Sequence, residues 1–162
     1  MNHVLERVAD VFEMLIGYIV ALFIFQPLNV CIHEAGHAAF ARVFGGKVEK
    51  IEVGIGDPLF TVGKYIQVNK VFFMMGMLRY DNKLDQNRHK IRLSFVALGG
   101  VLFNLLSIAG LIIFKVYTNH HHFLDGYFFG FTAVLMISAL IPVTYSTGYD
   151  SDGKWLADIW KR

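Results

Sequence analysis

Long apolar runs without a single charge alternate along this chain with shorter stretches in which charged residues return. Residues 14–32, 93–114 and 126–149 contain no Asp, Glu, Lys or Arg. A helix needs about 20 apolar residues to cross the hydrocarbon layer of a bilayer, and each run meets that length. The first pattern continues helically to about residue 44. The expectation is an α-helical membrane protein with about three core transmembrane helices, over 11–44, 93–115 and 124–143. Pro142 should end or kink the third of these. Pro27 leaves two readings of the first: one continuous helix, or a break that makes the portion before it re-entrant.

Between the first two runs the period changes from helical to alternating. Ile51, Val53 and Ile55 alternate with Glu52 and Gly54, and Ile66 and Val68 alternate with Gln67 and Asn69. Bounded by Gly56-Asp57-Pro58 and by Gly63, this pattern predicts a small membrane-associated β-sheet or hairpin within a β-rich segment of about 47–78. Residues 71–78, apolar and Met-rich, read as a further strand or as an interfacial segment. Such a sheet either covers whatever lies beneath it or offers an open edge, within 47–70, to an extended substrate.

Composition agrees with the pattern. The chain is 55% hydrophobic and 15% aromatic, with a mean hydropathy of +0.47, which places it with membrane proteins. A net charge of +2, mixed in sign, gives no basis for a nucleic-acid partner. One cysteine excludes an internal disulfide framework. The 162 residues fit a single domain, 1–162. Arg7 ahead of an apolar run suggests a cleaved signal peptide. No small-residue cleavage site follows, however, and the apolar pattern continues unbroken, so cleavage is not expected. Lys47, Lys50, Lys64, Lys70, Arg79, Lys83, Arg88, Lys90 and Arg92 concentrate positive charge between the first two runs, and Lys154, Lys161 and Arg162 follow the third. The positive-inside rule then places 45–92 and the carboxyl terminus in the cytoplasm and the amino terminus outside. The expected location is a bacterial cell membrane, crossed several times.

The chemistry sits inside the first run, as His33-Glu34-Ala35-Gly36-His37. Residues four apart share a helix face, so both imidazoles can reach one metal ion, with Glu34 beside them to take a proton from an attacking water. In a chain of this composition, HExxH arises by chance with a probability of roughly one per cent. A structural site would want four closed ligands, often thiolates, and the one cysteine does not supply them. Cys31 is two residues from His33, about 200° around the helix, and reads as a small buried apolar residue. Ionisable groups at bilayer depth are costly and point to function.

A catalytic zinc takes three protein ligands and keeps one position open. His33 and His37 lie about 10–16 Å inside the cytoplasmic end of their helix. Asp125 and the run His120-His121-His122 fall on the opposite side in this topology; the run reads as a solvated loop. Asp150 and Asp152 follow the third span on the correct side. Either could reach the metal if the chain folds back after Pro142, which a protein-lined cavity would permit. Asn104, about 16 Å into the second span, is level with the histidines. Its amide reads either as an interhelical hydrogen bond or as a group holding a substrate carbonyl or oxyanion.

These residues together resemble the site-2 protease family of intramembrane zinc metalloproteases, in a minimal core form. The resemblance rests on HEAGH in an early span, ALGGVLFN in a middle span and Pro142 followed by Ser151-Asp152-Gly153 after a late one. FGGKVEKIEVGIGDPLF is similar to the strand region that follows the family's first motif. The resemblance covers about residues 11–156. It implies Zn2+ bound by His33, His37 and Asp152, Glu34 as catalytic acid/base and Asn104 as a substrate-positioning residue. Three features depart from the family. Val101 stands where proline is usual, Ala139 where an asparagine is usual, and nine residues separate Pro142 from Asp152. That long spacing keeps Asp150 as a rival; Gly153 favours Asp152.

The expected activity is hydrolysis of peptide bonds in or near transmembrane segments of membrane proteins. The partners would be a transmembrane protein substrate and the lipid bilayer. The main alternative is a non-catalytic membrane metal-binding pseudoprotease that holds client helices; it would not need Glu34. A metal transporter would want polar residues along the full depth of several helices, whereas here they cluster on one side.

Overall fold

The computed structural model describes residues 2–81, 84, 89–145 and 148–161. Its first 42 described residues wind as one rod: α1 (Asn2–Val20), a π-helical turn (Ala21–Phe25) and α2 (Gln26–Val43). The wide turn explains why Pro27 does not break the rod. Proline has no N–H to donate, and in a regular helix its ring collides with the carbonyl four residues back. Just before it, the Gln26 amide bonds to the Ala21 carbonyl five residues back, which opens the turn and makes room. Of the two readings of Pro27, the continuous helix is the one adopted.

α2 stops at the glycine pair. Gly45 takes φ +88°, open to glycine without strain, and the Gly45 and Gly46 amides close onto the carbonyls of Arg42 (3.0 Å) and Ala41 (2.8 Å). The chain then enters β1 (Lys47–Val62), turns at Gly63 and returns as β2 (Ile66–Asp81), antiparallel to β1. The alternating segments pair as their period predicts, but each strand is bent and bulged. Ile51, Glu52 and Val53 are therefore each paired twice, to Leu78, Met77 and Gly76 on one side and to Ile66, Gln67 and Val68 on the other. Residues 72–75 lie outside this pairing, and Met75 there has φ +33°, marking where the strand swings out. The rings of Phe72 and Phe73 pack against Phe23 of the π-helical turn, at 6.1 and 5.4 Å between centroids. Residues 71–78 thus belong to a strand.

α3 (Lys90–Thr118) and α4 (Leu124–Leu140) follow, tied at their junction by an ion pair of 2.7 Å between Lys115 and Asp125. α4 ends where Pro142 requires. Ile141 before it is extended (φ −66°, ψ 123°), because the proline ring excludes the helical conformation at the preceding residue. α5 (Asp152–Lys161) is the last element. Two helical stretches, Leu5–Val43 and Lys90–Thr118, are long and apolar enough to cross a membrane; α4 is apolar but only 17 residues long.

The packing inverts the usual pattern of a water-soluble protein. Large apolar side chains such as Phe12, Ile19, Ile113 and Val134 face outward, while His33, Glu34, His37, Asn104 and Thr132 are buried. One apolar cluster, Ala38, Ala41, Val48 and Val96, joins α2, the sheet and α3; another, Leu93, Ala97 and Ile159, joins α3 and α5.

Candidate metal centre

Small residues bring the site together. Gly36 of the HExxH segment faces Gly99 of α3 so closely that a methyl group at either would overlap the other's backbone. That approach carries the His33 ring onto Gly100, where a Cβ would also collide with it. The glycines of ALGG therefore set the distance between two helices, and with it the position of the imidazoles.

His33 and His37 lie one turn apart on α2, their rings 4.7 Å apart and nearly perpendicular. The His33 Nε2 lies 2.9 Å from Asp152 Oδ2, and the His37 Nε2 lies 3.3 Å from the same oxygen. A tetrahedral ion with ligands at about 2.0–2.2 Å separates them by about 3.4 Å, so these spacings suit one divalent cation. Among the described residues, this trio is the group of His, Cys, Asp and Glu whose ligand atoms converge, all within 4.8 Å of one another. The outer nitrogen of His37 is also held: Nδ1 donates to the Val96 carbonyl at 2.7 Å, which leaves Nε2 free to ligate. Two imidazoles and one carboxylate match the donor set of a catalytic rather than a structural zinc site.

Asp152 arrives from 119 residues away because α5 begins there. Ser151 caps that helix, its Oγ accepting the Lys154 amide (3.1 Å) and donating to the Ile141 carbonyl (2.6 Å). Gly153 lies against the Leu140 carbonyl with no room for a Cβ, so the start of α5 can nestle onto the end of α4. Asp150 is placed differently. Its carboxylate accepts the Thr144 hydroxyl at 2.5 Å across a short bridge between residues 144 and 150. Thr144 and Asp150 thus pair with each other, and Asp152 alone of the two carboxylates meets the histidines. His120, His121 and His122 lie beyond the far end of α3, and Cys31 is outside the converging group.

A cavity of about 400 Å³ opens on the trio. Glu34 lines it, against the backbone of Gly76, where a Cβ would come within 2.7 Å of Glu34 Oε1. The wall opposite α2 is the 74–80 part of β2, and the side of residues 76–81 turned away from β1 has no strand partner among the described residues. The edge nearest the site is therefore 76–81, not the 47–70 segment named from the sequence pattern. Bends and bulges set that arrangement, and strand periodicity does not reveal them. Tyr145, Tyr149 and, from β2, Tyr80 also line the cavity. Burial pushes the Tyr80 phenol up to about 12, so it presents a neutral hydroxyl. Nothing in the spacing of these tyrosines marks them in the sequence. Asn104 is fully buried beside His33 and is absent from the cavity wall.

Comparison with known proteins agrees with this arrangement. The family model of peptidase family M50 matches residues 18–147, which include HEAGH and ALGGVLFN and stop short of Asp152. The chain is also 32% identical, over 145 residues, to the uncharacterized membrane protein YwmF of Bacillus subtilis (strain 168), a match covering 88% of this chain and 87% of that one. Motif, helix order and family match coincide over most of the length, and the chain belongs to peptidase family M50, the site-2 protease family.

Proposed function

We propose that this protein is a zinc-dependent intramembrane protease that hydrolyses peptide bonds in or near transmembrane segments of membrane proteins. The observation that carries the reading is the convergence of His33, His37 and Asp152 beside Glu34, at a cavity within helices whose outer surfaces are apolar. An apolar exterior suits lipid tails, and a buried polar centre at that depth is retained for chemistry. His33, His37 and Asp152 would hold the zinc ion, whose Lewis acidity would make water a competent nucleophile near neutral pH and polarise the scissile carbonyl.

The chain's own groups do the rest. Glu34 takes the proton of the attacking water and returns it to the leaving amine. A substrate helix must unwind before its carbonyls are accessible, and an unwound strand can add to the open edge at 76–81, one wall of the cavity. Met74, Met77 and Leu78 make that wall apolar, in keeping with a transmembrane substrate. The partners are a membrane-protein substrate and the bilayer, with no role for nucleic acid. The charge distribution supports a multi-pass protein of a bacterial cell membrane with 45–92 facing the cytoplasm.

The test is Glu34→Gln in proteoliposomes with a membrane-protein substrate. Loss of a positioned general base lowers the rate by about 10²–10⁴-fold, and metal content should stay at the wild-type level. Undiminished cleavage by this variant would overturn the reading in favour of a metal-binding protein that only holds client helices.

A further inference from the structure

Asn104 has an environment unlike that of a residue that meets substrate. It is 0% exposed, and the cavity wall does not include it. Its carboxamide nitrogen, Nδ2, lies 3.2 Å from His33 Nδ1, the ring nitrogen that does not face Asp152. Asn104 Oδ1 has no hydrogen-bond partner among the described residues. A buried amide oxygen without a partner is costly and calls for an explanation.

The chemistry of the ring supplies one. His33 presents Nε2 to Asp152, so Nε2 is the atom that would ligate a metal. A neutral imidazole that ligates through Nε2 carries its proton on Nδ1, and that N–H needs an acceptor. The oxygen and nitrogen of a carboxamide exchange places by a half-turn of the side chain, and the two orientations have nearly the same shape. A half-turn of Asn104 sets Oδ1 against Nδ1, where it accepts the ring N–H, and moves Nδ2 to the position that Oδ1 held. The other histidine meets the same need with a carbonyl from the same helix, Val96 O at 2.7 Å from His37 Nδ1. α3 would thus hold the outer nitrogen of both histidines.

We infer that Asn104 is a positioning residue, whose carboxamide oxygen holds His33 in the Nδ1–H tautomer and fixes its ring for metal, and that it does not contact substrate. This rests on the proposed reading of the trio as a metal centre. It departs from the substrate-positioning role that family resemblance suggests for the same residue.

The experiment measures Zn2+ dissociation constants on the full chain in detergent, by competition with a chromophoric chelator, together with the visible spectrum of the Co2+ form. The proteins are wild type, Asp152→Ala, Asn104→Leu, Asn104→Asp and Asn104→Ser. Leucine keeps the bulk and removes the acceptor, and should weaken binding by about 10–100-fold with an altered Co2+ spectrum. Aspartate restores an acceptor and should bind within a few-fold of wild type. Serine offers a small uncharged acceptor in case a buried carboxylate prevents folding, and should fall between wild type and leucine. Wild-type affinity and spectrum in Asn104→Leu, with or without loss of cleavage, would overturn the inference. Equal weakening in all three Asn104 variants would do so as well, because it would mean that the residue only supports packing. If wild type binds Zn2+ no more tightly than Asp152→Ala, the metal-centre reading itself falls.

Discussion

Asp150 and Asp152 are two positions apart, yet only Asp152 lies against both imidazoles, and hydrogen bonding accounts for the difference. Thr144 engages the carboxylate of Asp150, whereas Asp152 opens a capped helix and points at both imidazoles. Asp152→Ala should therefore lose metal by more than the ~10–100-fold typical of a lost outer contact, with Asp150→Ala close to wild type. Metal analysis of the purified proteins checks this. Gly76 is a second residue-scale constraint. A methyl group there meets both Val30 and the Glu34 carboxylate, so Gly76→Ala should displace the proposed general base. Cleavage should fall by at least about tenfold, since a misplacement of about 1 Å can cost about 10²-fold. The Zn2+ dissociation constant should remain near wild type, and the two measurements together separate displacement of Glu34 from damage to the ligands.

At the scale of elements, the centre depends on two close approaches that involve no ligand. α2 and α3 touch at Gly36 and Gly99, and α4 and α5 touch at Leu140 and Gly153. Forcing a side chain into either contact moves whole helices. Gly99→Leu should destabilise the fold by about 1–3 kcal/mol, read as a lower thermal midpoint in detergent. Gly153→Ala should move the start of α5 off α4 and take Asp152 with it, lowering Zn2+ affinity although glycine binds nothing. The elements themselves were largely legible in the sequence. Pro142 stopped α4 as expected, the alternation around Ile51 and Ile66 became paired strand, and the HExxH spacing put both histidines on one helix face. Each of these depends on neighbours within a few residues, where periodicity and proline sterics act. The course of 66–81, paired at both ends and bulged between, was not legible, because it depends on which strands meet.

For the whole molecule, charge and burial together imply an orientation. Nine cations lie in residues 45–92, which join the long apolar helices, and at the far end of α3 Lys115 is already paired with Asp125 of α4. In a Cys31→Ser background, Lys64→Cys should react with an impermeant thiol reagent only after the cytoplasmic face is opened. His121→Cys should react from outside in intact cells. The reverse pattern would contradict the proposed topology and put the cavity on the other side of the membrane.

The sequence by itself determined the long apolar helices, the pairing of His33 with His37, the place of Glu34 beside them and the strand-forming segment. All of these follow from local periods of 3.6 and 2 and from the cost of ionisable groups in apolar surroundings. Only the tertiary structure decided between Asp150 and Asp152, set Val96 and Asn104 behind the two imidazoles and put the 76–81 edge beside Glu34. Those contacts join residues far apart in the chain, and their geometry is fixed by how closely glycine-lined backbones approach. No local repeat encodes that.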